Sequence, residues 1–162
     1  MFNAKSETAH ERAAFKEPFA KRRCVVPITG FYEWCREHGR KVPYYLTPQA
    51  FPGLLIAGLW DRWRDRETGE QVLSFTILTT AAHENMRFVH NRQPVMLSFS
   101  DAHRWLDGSL ATQSLTALFE SVIPMEISAI PVSTFVNNAR NKDLRCIEPI
   151  GEPVVISASE QV

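Results

Sequence analysis

Cys24-Val25-Val26-Pro27-Ile28-Thr29-Gly30-Phe31-Tyr32-Glu33-Trp34-Cys35 is the stretch on which the fold turns. Its β-branched and aromatic residues read as one strand over 24–35, because such side chains pack well on a pleated, half-buried surface. Glu33 is out of place among them. A carboxylate on a strand's covered face must be paired or must titrate abnormally, and either condition makes it a general acid/base candidate. On an edge strand the same acid faces water. The residues of this stretch leave both readings open.

Working outward, Glu37-His38-Gly39-Arg40-Lys41 is a glycine-containing connection into Val42-Pro43-Tyr44-Tyr45-Leu46, so a hairpin is expected, with Pro43 near an edge or strand start. A second hairpin joins residues 54–60 to 71–79 through the charged turn Arg66-Glu67-Thr68-Gly69-Glu70. Upstream, residues 6–17 suit a helix capped by Ser6 or Thr8 and ended by Pro18. Downstream the period changes. Residues 81–89 suit a short helix and 94–97 a strand. Ser98 or Ser100 caps a helix carrying Ala102, Trp105 and Leu106 and closed by Gly108, and Thr112 caps another through Leu115, Leu118 and Phe119. Met125, Ile127, Ala129 and Val132 suggest a closing strand, and residues 136–141 a polar loop. The expected class is α+β: one domain over 1–162, an antiparallel sheet or partly closed barrel with peripheral helices.

Composition narrows the function classes. Eighteen basic and 18 acidic residues leave no net charge, so any nucleic-acid contact must come from a local basic patch. The longest apolar run, Leu54-Leu55-Ile56-Ala57-Gly58-Leu59-Trp60, falls far short of the ~20 residues that span a bilayer. No membrane partner is expected. The start lacks a charged-then-apolar signal pattern, and three scattered cysteines fit a reducing compartment, so the expected location is cytoplasmic.

Val89-His90-Asn91-Arg92-Gln93-Pro94 lies between a helix and a strand, where rigid elements present functional groups. His90 can exchange protons near neutrality and Arg92 can fork onto a phosphate; alternatively His90 caps the preceding helix and Arg92 is solvated. Metal is not expected: after His83-Glu84 the zincin position for a second histidine holds Arg87, and the cysteines form no Cys-x-x-Cys pair. No glycine-rich phosphate loop exists, and no cofactor is expected. Cys35, two residues from Glu33 on a regular strand, shares its face and is a candidate nucleophile, although a neighbouring carboxylate suppresses the thiolate. Lys21, Arg22 and Arg23, and Arg62, Arg64 and Arg66 with Trp60 or Trp63, could line a single-strand surface, or form a solvated hairpin neutralised by Asp61, Asp65 and Glu67.

Read together, Asn3-Ala4-Lys5-Ser6-Glu7-Thr8, Gly30-Phe31-Tyr32-Glu33-Trp34, Thr79-Thr80-Ala81-Ala82, Val89-His90-Asn91-Arg92-Gln93-Pro94-Val95-Met96-Leu97 and Val136-Asn137-Asn138 resemble the SOS response-associated peptidase (SRAP) family in order and spacing. The resemblance covers nearly the whole chain. It implies abasic-site processing in the DNA damage response: an N-terminal cysteine links to the ring-opened aldehyde of an abasic sugar in single-stranded DNA, giving a thiazolidine. By the same resemblance Glu33 is the catalytic glutamate, His90 the active-site histidine and Asn3 the asparagine that positions amine and sugar. Lys5 and Arg92 match residues suited to the phosphates that flank the lesion.

The sequence departs from the family in opening at Met1-Phe2, immediately before the asparagine motif, where the family has a longer segment beginning Met-Cys-Gly-Arg. The expectation is a truncated or start-misassigned member, its missing N-terminal segment supplied elsewhere, with marginal solubility on its own. Asn91 stands for the usual aspartate and Gln93 for a usual methionine or arginine. Two alternatives differ in class: a non-covalent single-stranded DNA-binding remnant, and a cysteine hydrolase using Cys35 with His90.

Overall fold

In the computed structural model, which describes residues 3–159, the chain runs β1 (Asn3–Lys5), α1 (Ser6–Ala9), α2 (Ala13–Lys21), β2 (Arg23–Ile28), β3 (Phe31–Glu37), β4 (Arg40–Pro48), β5 (Leu54–Arg64), β6 (Gln71–Ala81), β7 (Arg92–Pro94), β8 (Met96–Leu97), α3 (Phe99–Leu106), β9 (Ile127–Pro131) and β10 (Val154–Ile156). Short 3-10 helices occupy Glu84–Met86, Thr112–Phe119, Thr134–Asn137 and Leu144–Ile147. The protein is α+β, as expected. No helix among the described residues is long and apolar enough to cross a membrane. Two compact units divide the chain: Met1–Pro27, Leu55–Ala81 and Pro94–Val122 form the first, and Ile28–Leu54, Ala82–Gln93 and Ile123–Val162 the second.

The first unit carries a sheet of order β1-β6-β5-β2, with β8 on β5. The long β5–β6 hairpin is antiparallel, pairing Trp60 with Phe75 and Arg64 with Gln71, and its turn is tied by the Asp65 carboxylate, which accepts the Glu67 and Thr68 N–H groups. β1 runs parallel to β6, Asn3 opposite Ile77, beside the antiparallel β5–β6 and β5–β8 pairs. Beneath the sheet lies a core built on Trp105, Phe19, Leu59, Leu78 and Leu115. Phe19, Trp105 and Phe119 meet edge to face with centroids 5.6–5.8 Å apart, contacts worth roughly 0.5–1.5 kcal/mol each beyond area burial. The Arg23 guanidinium donates to the carbonyls of Phe19, Ala20, Trp105 and Asp107, satisfying the C-terminal carbonyls of α2 and the end of α3 together.

Helix ends differ from expectation where tertiary burial outweighs local signals. Residues 6–17 form not one helix but the short α1 and then α2, neither capped by a side chain, and Pro18 lies inside α2. An interior proline removes one helical hydrogen bond at about 3 kcal/mol, but here Pro18 is buried beside Phe15 and Phe19 on the core-facing side. Ser98 does cap α3, accepting from Asp101 N at 3.1 Å. Thr112 does not cap: Ala111 precedes a 3-10 helix with no side-chain bond.

The second unit carries a four-stranded sheet of order β10-β9-β4-β3. The stretch 24–35 is therefore two strands. The chain leaves the β2 register at Thr29-Gly30, and only glycine fits there, because a Cβ on Gly30 would lie 2.5 Å from the Leu46 carbonyl oxygen and the Tyr45 ring. β3 and β4 are joined by His38 and Gly39, both with positive φ, as a two-residue type I′ turn requires. Pro43 sits within β4, an interior strand, and not at an edge. Its carbonyl accepts Val132 N, so its nitrogen faces the end of the β9 ladder, one residue beyond the last register pair, Tyr44 with Pro131. β9 does not close the sheet, since β10 pairs outside it.

Candidate active site

β3 is an edge strand, yet Glu33 is half-buried. Alternation puts Phe31, Glu33, Cys35 and Glu37 on one face of β3 and Tyr32, Trp34 and Arg36 on the other. The hairpin register sets Glu33 opposite Tyr44, which donates from its hydroxyl to Glu37 Oε1 at 2.6 Å. The inward face of β3 is thus a short polar ladder beside a buried tyrosine.

His90 lies on the segment 82–93, near enough for its charge to act on Glu33. That segment is closed at its base, because Ala82 N donates to Asn91 O at 3.0 Å and His83 N to Gln93 Oε1 at 2.8 Å. Between these ties Glu84–Met86 makes a single 3-10 turn, with Met86 and Val89 buried, in place of the expected helix over 81–89. Gln93 is 1% exposed and holds this loop's shape. Two further contacts fasten the loop to the hairpin: the Cys35 thiol donates to Phe88 O at 2.8 Å, and the Phe88 ring meets Tyr44 edge to face at 6.3 Å.

Electrostatics single out Glu33. Burial pushes its carboxyl above the ordinary value, and the charge of a protonated His90 and a backbone hydrogen bond from Trp34 pull it part of the way back. His90 is exposed, and the Arg92 peptide addresses its Nδ1 from both sides, with Arg92 N at 3.0 Å and Arg92 O at 3.2 Å. Neutral Nδ1 accepts that N–H, whereas protonated Nδ1 donates to that oxygen, so the ring keeps its place in either state.

The predicted site residues fall in two places. Glu33, His90 and Arg92 belong to the second unit, where Glu33 and His90 come together and the Arg92 backbone orients the ring. Asn3 and Lys5 belong to the first unit, exposed on either side of buried Ala4 on the edge strand β1. Cys35 is buried, and burial followed by the charge of Glu37 pushes its thiol up, away from the thiolate a nucleophile needs. Tyr44 escaped the sequence reading; counting outward from the His38-Gly39 turn gives its position opposite Glu33. Burial and the bond to Glu37 push its hydroxyl up to about 12. Among the described residues no three metal-binding side chains cluster.

The α+β scaffold thus carries a partly buried carboxyl that feels the charge of an imidazole oriented by the Arg92 backbone. The chain belongs to the family described as SOS response associated peptidase (SRAP), whose model matches residues 1–139. Abasic site processing protein HMCES of Gallus gallus is 33% identical, the match covering 97% of this chain and 53% of that protein. Abasic site processing protein YoqW of Bacillus subtilis is 31% identical, over 91% of this chain and 66% of that protein. A solved structure from Bacteroides thetaiotaomicron aligns with a TM-score of 0.78 at 31% identity, covering 89% of this chain and 64% of that one. The chain spans from about half to two-thirds of the length of these relatives.

Proposed function

We propose that this chain processes abasic sites in single-stranded DNA, with Glu33 and His90 as the acid/base pair of the family's reaction, in which the amine and thiol of an N-terminal cysteine condense with the lesion's aldehyde, losing water, to give a thiazolidine. The observation that carries the reading is the Glu33 carboxyl, raised by burial and answered by His90. Condensing an aldehyde with an amine expels water, and a carboxyl that burial makes hold its proton to higher pH than usual is suited to deliver the proton that departing hydroxyl needs. His90, held by Arg92 in both protonation states, exchanges protons as the sugar opens. Asn3 donates and accepts at the reacting amine and sugar, and Lys5 and the Arg92 side chain contact flanking phosphates. In the family scheme the linking thiol is that of an N-terminal cysteine; the roles assigned here to this chain's residues are proton transfer and DNA contact. The raised thiol of Cys35 argues against the cysteine hydrolase reading.

The test is a single-stranded oligonucleotide with one abasic site, incubated with the chain and resolved under denaturing conditions beside an intact strand. The expected result is a product confined to the abasic strand, as adduct or cleavage, that falls on the order of 10²-fold in Glu33→Gln and His90→Gln. If both strands are merely retained, and equally, without any abasic-specific product, the chain is a non-covalent binder and the proposal is lost.

A further inference from the structure

Cys35 has a geometry that packing alone does not call for. It is 6% exposed, and its Sγ stands 2.8 Å from Phe88 O with the thiol as donor. Phe88 is a loop residue 42% exposed, less buried than its neighbours Met86 and Val89. Inside the loop, Val89 N and His90 N donate to Met86 O, and its base is tied by Ala82 and His83; what fastens it to β3 and β4 is the Cys35 hydrogen bond on the main chain and the edge contact of Phe88 with Tyr44, itself fixed through Glu37. His90 follows two residues later. Glu33 and Cys35 are alternate residues on the same face of one strand, a separation that the pleat sets at about 6.5–7 Å.

We propose that Cys35 is a positioning residue: its thiol, by holding the Phe88 carbonyl, fixes where His90 stands against Glu33. The strand that carries the carboxyl thereby also carries the fastening for the loop that carries the imidazole. This inference rests on the reading of Glu33 and His90 as a functional pair. The charged and titratable groups on the same face are Glu37 and Tyr44, and both stay in place in every variant below.

The experiment follows the Glu33 side-chain carboxyl by carbon NMR across a pH titration of the full chain. His90→Gln removes the charge that pulls this carboxyl down, so its midpoint rises. Cys35→Val, close in shape but without a donor, is expected to raise it in the same direction, and Cys35→Ser, which keeps a donor, to return it to the unsubstituted value. Cys35→Ala is a second donor-free variant should valine prevent folding, with a cooperative thermal transition as the criterion. If the donor-free variants leave the midpoint unchanged while His90→Gln moves it, or if serine shifts it as far as valine does, the positioning role is overturned. If His90→Gln itself leaves the midpoint in place, the pairing of Glu33 with His90 is what fails.

Discussion

Glu33 faces inward from an edge strand, and its environment costs the folded state something whenever the carboxyl is ionised. Its folded value lies above its ordinary 4.5, so the folded protein holds the proton more tightly than the unfolded chain does. Stability from this group is therefore lost as pH rises from the unfolded value through the folded one, the reverse of a salt-bridged acid. Glu33→Gln is expected to raise the melting temperature at pH 7, with the gain shrinking at pH 4, where the glutamate is itself protonated. Thermal denaturation at the two pH values checks this. A lower melting temperature at pH 7 would mean that the pairing with His90 outweighs burial. Glu33 and His90 were legible in the sequence because an acid among aromatic strand residues and a histidine in a polar connector are chemically conspicuous. Tyr44 was not, since a tyrosine among strand residues looks like any other packing residue until its register is known.

That register belongs to the β3–β4 hairpin. Read from composition, the connection spans five residues, Glu37 to Lys41, whereas the backbone turns in two, because His38 adopts the left-handed conformation beside Gly39. Positive φ is uncommon for any residue but glycine, and although histidine is enriched there, its presence does not fix which residues form the turn. The same limit explains the segment 82–93. Apolar Met86 and Val89, three residues apart, suggest a helix, but the bonds from Ala82 to Asn91 and from His83 to Gln93 draw the ends together, and a nine-residue helix would hold them about 13 Å apart. On this element Tyr44→Phe is expected to cost about 1–2 kcal/mol at neutral pH, through loss of a buried donor to a carboxylate. The tyrosine keeps its proton to about 12 when folded, against 10 in the ordinary case, so its contribution disappears as pH rises through that window. Urea denaturation at pH 7 and pH 11.5 should show a difference between the two proteins that is smaller at the higher pH. An equal difference at both would detach the bond from the hydroxyl's ionisation.

At the scale of the whole molecule, a neutral chain exposes Trp63 (58%), Leu73 (72%), Phe75 (59%) and Val72 (49%) on one hairpin. The register separates that hairpin's charges: Trp60, Arg62, Arg64, Leu73 and Phe75 share one face, while Asp61 shares the other with Trp63 and Val72. Asp61 cannot therefore neutralise Arg62 across the strand, as composition alone suggested, and is paired with Arg22. With no net charge to keep molecules apart, such a surface favours association. Leu73→Lys with Phe75→Thr is expected to raise the concentration at which light scattering first reports aggregates severalfold, without lowering the melting temperature; an unchanged onset would place the association elsewhere. The parallel strand β1 adds a matter of timing. During synthesis the β3–β4 hairpin can close once Pro48 has emerged, whereas Asn3 must wait for Ile77 to leave the ribosome before it has anything to pair with. The strand that carries Asn3 and Lys5 thus depends on a partner made more than 70 residues after it, a pairing of high sequence separation that closes late in folding, whereas Glu33 lies on a hairpin of local contacts.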